Sequence, residues 1–186
     1  MMKRLLVMST FLGASALSSW AANSELRVCF TGDTRAYLEV CGCREGQLGG
    51  IARRGALLTR LRGDGVPLLL VDSGGIFAAG DERDQSRART YARALQALEY
   101  AAINVTAAEF SHGAELLTAT AREVEMPLVS SNLWPDLGLP IPRFLVLQRG
   151  PWRLGILGVA PADGKLFSAP APELRRLIAS MESVDI

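Results

Sequence analysis

Apolar residues along the chain cluster at two alternating spacings, and the alternation sketches the fold. A β-prone run from Leu26 to Thr31 closes at Gly32-Asp33, and a glycine-rich loop carries the chain to Gly50. Ile51, Gly55, Leu58 and Leu61 then recur at helical spacing, predicting a helix that ends at Gly63 before an Asp64-Gly65 turn. Pro67 to Val71 is a continuous apolar run of strand length, the kind buried on both faces of a parallel sheet, and it stops at Asp72-Ser73-Gly74-Gly75. Ala88, Tyr91, Leu95 and Leu98 mark a second amphipathic helix reaching Tyr100. A third strand over 103–106, a weaker helix over 115–123 and a fourth strand over 127–132 follow. Residues 143–148 and 153–159 read as a hairpin turning at Arg149-Gly150-Pro151. Pro172 opens a last helix with Leu174, Leu177, Ile178 and Met181 on its apolar face. Strands alternating with helices predict a layered α/β fold with functional groups at the carboxyl ends of the strands.

The first residues carry a different signal. Lys3 and Arg4 form a basic start, Leu5 to Leu17 an apolar stretch, and Ser19-Trp20-Ala21 a small-x-small cleavage signal, so residues 1–21 are expected to be a signal peptide. The stretch is shorter than the ~20 residues a bilayer span needs. The mature protein, residues 22–186, is then a single domain in an oxidising compartment, the periplasm of a diderm bacterium or the exterior. The 20 basic and 19 acidic residues become 18 against 19 once Lys3 and Arg4 are removed. A chain this close to neutral excludes a grip on nucleic acid or an anionic membrane built on phosphate neutralisation. Its 49% hydrophobic content excludes disorder.

Three strand ends then carry a resemblance. They read Thr31-Gly32-Asp33-Thr34-Arg35, Asp72-Ser73-Gly74-Gly75 and Thr106-Ala107-Ala108-Glu109-Phe110, followed by Ser130-Ser131-Asn132-Leu133 and Leu154-Gly155-Ile156-Leu157-Gly158-Val159. Residues 26–160 resemble the amino-terminal half of the calcineurin-like metallophosphoesterase domain, in the branch of secreted 5′-nucleotidases. The resemblance implies a layered sheet with flanking helices, of which this chain holds a part. In that family these strand ends supply Asp-x-His, Gly-Asp and Gly-Asn-His-Glu-Phe to a two-metal centre. Here Asp33 is kept, while Arg35, Gly75, Ala107 and Ala108 stand at ligand positions. A two-metal site needs several His, Asp or Asn side chains for each ion. The chain has one histidine, His112, which lies off the ligand position and reads as a polar loop residue. Phosphoester hydrolysis is therefore not expected. Asp33 is the candidate metal residue, a weak and vestigial one, and no other cofactor is expected.

Between the first strand and the first helix lies a loop with Cys41-Gly42-Cys43-Arg44, Gly49-Gly50 and Arg53-Arg54. This combination resembles the bacterial UshA-like (seleno)protein group, in some members of which selenocysteine replaces a cysteine. The resemblance implies thiol chemistry. The residues point the same way, because Gly42 lets the chain fold tightly between the two sulfurs and a ring across one residue is strained and easily reduced. Arg44 beside the pair favours a thiolate. A stable structural bridge is the plain alternative, and a zinc site would need His112 as a fourth ligand to the three cysteines. Cys29, inside a strand, reads as a buried inert thiol or a resolving partner.

Arg53 and Arg54 read as an anion-holding pair or a solvated helix face, Asp72 as a weak cation ligand shared with Asp33 or a turn cap, and Trp134 and Trp152 as packing residues. The expected function is thiol–disulfide exchange by Cys41 and Cys43 with Arg44 as the thiolate-stabilising neighbour. Its alternatives are a 5′-nucleotidase-like metal-dependent hydrolase with a reduced site and a non-catalytic module that binds an anion or a partner. Expected partners are a thiol or disulfide substrate or a small anion, with self-association through an open sheet edge.

Overall fold

The computed structural model describes residues 25–41, 48–77, 80, 82–181 and 184–185. Strand β1 is Arg27–Thr31, and two further pairs of residues, β2 (Val40–Cys41) and β3 (Leu48–Gly49), make a small antiparallel ladder inside the following loop. Helix α1 (Ile51–Gly63) leads to β4 (Leu68–Asp72), α2 (Glu82–Ala97) to β5 (Ala102–Asn104), and a 3₁₀ turn with α3 (Ala114–Glu123) to β6 (Leu128–Val129). The hairpin β7 (Leu145–Arg149) and β8 (Trp152–Ile156) precedes α4 (Pro170–Ser180).

The main sheet is parallel, in the order β1-β4-β5-β6. Each new strand joins on the same side of the last, and right-handed crossovers then bring all three connecting helices to one face. Cys29, Leu70, Ile103 and Leu128 meet Leu58 of α1, Tyr91 and Leu95 of α2, and Leu117 of α3 in one core. Side chains alternate along a strand, so Val28, Phe30, Leu69 and Val71 face the opposite way. The hairpin covers part of that second face, packing Leu147, Leu154, Trp152 and Ile156 on Leu69, Val71 and Ala101. Val28 remains 54% exposed and Phe30 79%.

The elements follow the sequence pattern with several corrections, among them α2 ending at Ala97 short of Tyr100 and β5 spanning Ala102–Asn104. The β2–β3 ladder lies in a segment expected to be loop, and α2 begins at Glu82, ahead of the apolar period that announces it. Strand β6 is confined to Leu128–Val129, because Ser130 turns away and its N–H goes to the Pro142 carbonyl at 2.9 Å. Helix α4 starts at Pro170 and buries Leu177 while leaving Ile178 at 59% exposure, so Ile178 is not on the packed face. Cys29 is a free, half-buried cysteine packed beside the core, less enclosed than its strand position suggests.

Two of the resembling segments serve as staples. Asn132 is fully buried; its Nδ2 donates to the Ala160 and Ser168 carbonyls at 2.8 and 2.7 Å, and its Oδ1 accepts from the Ala160 N–H at 3.0 Å. Gly158 passes so close to β5 that a Cβ there would stand 2.4 Å from Asn104 Oδ1. These contacts clamp the return of the hairpin onto the carboxyl ends of β5 and β6. Asn104 itself is buried, and its Nδ2 donates to the Ser73 and Val159 carbonyls.

Candidate functional site

The strand ends converge as the parallel topology requires. Thr31 at the end of β1 with Gly32 and Asp33 after it, Ser73 to Gly75 after β4, and Thr106 with Ala108 after β5 line one open cleft of about 530 Å³. The loops are laced by backbone bonds, with the Asp33 N–H on the Gly74 carbonyl and the Arg35 N–H on the Gly75 carbonyl, both at 2.8 Å. A second hollow of about 440 Å³ adjoins it, sharing Asp33 and Ala108 and walled by Arg35, Tyr37, Phe77 and Arg87. Elsewhere, a groove of about 360 Å³ runs between the end of α3 and Pro140–Pro142, with Arg122 as its sole titratable lining group.

The residues at the cleft are of the wrong kind, and in the wrong arrangement, for a pair of metal ions. Asp33 is exposed, and its carboxylate is clasped by Arg35, whose Nε donates to Oδ1 at 2.8 Å and whose Nη2 donates to Oδ2 at 3.2 Å. The hydrogen bond from Arg35 holds the Asp33 carboxyl below its ordinary range. A cation ligand whose lone pairs face a guanidinium is already neutralised. Gly75 has φ +74°, and a Cβ on it would lie 2.9 Å from the Asp33 Cα. The backbone of the first loop thus stands close against the place where a side chain of the second would begin. Among the described residues no three His, Cys, Asp or Glu side chains gather where they could hold a metal.

The other acidic groups near the cleft are turned to structural work. Asp72 is 3% exposed, caps the turn by accepting the Gly74 N–H at 2.8 Å, and takes a short hydrogen bond from the Thr31 hydroxyl. It therefore does not join Asp33 in a shared cation site. Burial pushes the Asp72 carboxyl up, against the pull of these hydrogen bonds. Glu109 is fully buried; one oxygen accepts the Ile76 N–H at 2.7 Å and the other accepts the Thr106 N–H and hydroxyl, each at 2.7 Å. It closes a capping box around Ala107–Phe110 and binds the third strand end to the second. Burial raises Glu109 as well.

Arg54 lies in neither role foreseen for it. Half-buried under α1, its Nη1 donates to the hydroxyls of Tyr91 at 2.8 Å and Tyr100 at 3.0 Å. Burial alone would lower its pKa, but the two tyrosine oxygens outweigh that and raise it. Since the Thr31 hydroxyl donates to Asp72, the 2.9 Å contact of Tyr100 with Thr31 has Tyr100 as donor. A one-way chain of hydrogen bonds thus runs from Arg54 through Tyr100 and Thr31 to Asp72 behind the cleft. Burial raises the Tyr100 hydroxyl too.

Of the thiol residues, the backbone of Cys41 is seen in β2, paired with Leu48. Its side chain, Cys43 and Arg44 lie outside the described residues. The ladder rises between β1 and α1, at the end of the sheet that carries the cleft. His112 sits in a turn with its Nε2 buried and without a hydrogen-bond partner. Arg87 and Tyr37, which wall the second hollow, carry no sequence signal that sets them apart from other polar residues of a helix and a loop.

No family model matches the chain. A snake venom 5′-nucleotidase of Gloydius brevicauda is 26% identical over 184 residues, covering 91% of this chain and 31% of the relative. Among solved structures, a 5′-nucleotidase precursor from Thermus thermophilus superposes with a TM-score of 0.75 at 25% identity, over 83% of this chain and 34% of that one. A calcineurin-like phosphoesterase from Bacillus subtilis gives a TM-score of 0.66 at 16% identity, over 87% and 59% of the two chains. The chain spans about a third of the length of the curated relatives it matches.

Proposed function

From the premise that this chain carries the amino-terminal fold of the 5′-nucleotidase branch of the calcineurin-like metallophosphoesterases, we propose that it is a secreted ligand-binding module, its cleft kept for an anionic ligand or partner and no longer equipped for two-metal hydrolysis. The observation that carries this reading is Gly75. The loop bearing Asp33 crowds the space that a carboxylate at that position would need, and the one retained acid is tied to Arg35. Arginine forks bind oxyanions without a metal, which makes a cleft of this composition suited to holding and unsuited to cleaving.

The test is a phosphoesterase assay on the purified mature chain with manganese or zinc, run beside Asp33→Ala and with metal content measured on both. The expected result is hydrolysis of nucleotide and aryl phosphates no faster than by Asp33→Ala, with no metal retained after dialysis. A metal-dependent activity that disappears in Asp33→Ala would establish a reduced-site hydrolase in its place.

A second reading is favoured by the β2–β3 ladder, whose backbone pairs Cys41 with Leu48 in the connection between β1 and α1, where the sequence reads Cys41-Gly42-Cys43-Arg44. In this reading a Cys41 or Cys43 thiolate attacks a partner disulfide, and the other cysteine then displaces the mixed bond. The partner leaves as a dithiol, and the pair is left oxidised. Titration in glutathione buffers should place the pair well above the roughly −300 mV of structural disulfides. Cys41→Ser or Cys43→Ser should abolish the transition and keep the fold. Resistance to glutathione would make the bond structural.

A further inference from the structure

The second hollow has a composition of its own. Arg35 and Arg87 bring two guanidinium groups to its wall, and Asp33 is the one carboxylate among its described lining residues. Tyr37, 64% exposed, and the buried Phe77 give it an aromatic side. Both arginines are engaged in ion pairs at the surface. Arg35 holds Asp33, with side chains 63% and 72% exposed, and Arg87 holds Asp84 at 2.9 Å, with side chains 47% and 22% exposed. The Arg35–Asp33 pair is open to solvent and weak, so a ligand that offers better oxygens displaces the carboxylate at small cost.

The geometry of the Arg35–Asp33 contact identifies the kind of ligand. Nε and Nη2 address two oxygens of one group, the two-pronged arrangement that suits phosphate and carboxylate alike. Backbone geometry fixes where that fork stands. Asp33, Arg35 and Ala36 all have φ near +50°, and the Arg35 N–H is anchored on the Gly75 carbonyl. Asp33 thus rests where an external oxyanion would bind.

We propose that the hollow between Arg35 and Arg87 is a metal-independent site for a small oxyanion borne on a flat or apolar body, and that Asp33 is its internal competitor. An incoming phosphate-like group takes the Arg35 fork from Asp33 and is held on its far side by Arg87, while Tyr37 covers the body of the ligand. The inference rests on the binding reading above and gives that site its ligand chemistry.

Calorimetric titration of the mature chain with phenyl phosphate, in metal-free buffer at low salt, tests it. Inorganic phosphate and phenol serve as the two halves of the probe. Saturable binding of phenyl phosphate is expected, with inorganic phosphate weaker and phenol absent. Arg35→Ala and Arg87→Ala should each weaken binding by about tenfold or more, as expected for a charge-assisted contact, with Arg87→Lys between them and the parent. Asp33→Asn should tighten it several-fold, because removing the competitor leaves the fork free, roughly the worth of one exposed pair. Unchanged thermal midpoints certify that these surface variants fold. No saturable binding by the parent, or arginine variants that bind as the parent does, would overturn the site. An Asp33→Asn affinity equal to or weaker than the parent's would overturn the competition. Hydrolysis of phenyl phosphate on adding manganese would refute the binding reading itself, whereas absence of both hydrolysis and binding overturns this inference alone.

Discussion

The two faces of the parallel sheet are built from the same strands and have opposite fates. On the helix side, Leu70, Ile103, Tyr91, Leu95 and Leu117 are sealed, each at 2% exposure or less. On the other side the hairpin packs on β4 and on Ala101 just before β5, while Val28 and Phe30 on the edge strand stay open. The contrast locates stability. The helix face is a finished core closed by local βα connections, and the hairpin face is covered only in part. It also separates scaffold from site, because the loops of the cleft hang from strands anchored on the finished side.

Three substitutions probe that difference. Leu95→Ala, in the sealed core, should cost about 2–5 kcal/mol in chemical denaturation, the range for a large-to-small change that leaves a cavity. A loss below about 1 kcal/mol would mean that the helix face does not carry the fold. Glu109→Gln should cost about 1–3 kcal/mol, because the amide nitrogen cannot accept the bonds from Thr106 that the carboxylate does. Its pH dependence adds a second readout. A carboxyl raised by burial binds its proton more tightly in the folded state, so stability falls as pH rises from the ordinary value of 4.5 through the raised one. Glu109→Gln should flatten that fall, leaving the part due to Asp72, which is raised in the same direction. An unaltered slope would assign the fall elsewhere. Phe30→Ser should change stability by no more than about 0.5 kcal/mol, as for other surface positions. The same change should lower self-association in sedimentation runs at high concentration, since an exposed apolar patch next to a strand edge invites pairing. A parent already monodisperse at every concentration would show that this face does not associate.

How far the sequence could be read follows from the physics of each segment. The order of strands and helices was legible because apolar spacing switches between two periods, and Gly75, Ala107 and Ala108 stood out because the strand ends mark where ligands belong. The β2–β3 ladder has two residues on each side, too few to show any alternation. The first turn and a half of α2, Glu82-Arg83-Asp84-Gln85-Ser86-Arg87, is polar throughout and gives no period. Arg54 reads as a solvated helix residue, since nothing local announces Tyr91 and Tyr100, 37 and 46 residues away, as its partners. The Arg35–Asp33 clasp depends on left-handed backbone at non-glycine residues, a conformation that composition does not betray. Arg87 reaches the hollow because α2 packs there, a tertiary fact.

The pairing order also sets a timetable. β1 leaves the ribosome first, yet its neighbour β4 lies 41 residues further along, with Arg27 opposite Leu68. Until that second strand and the intervening helix have emerged, the nascent chain presents Val28 and Phe30 with nothing to zip against, and closing so wide a loop is slow. Each later strand then finds the one made just before it already in place, so synthesis speed over residues 27–72 governs how long a sticky strand waits alone.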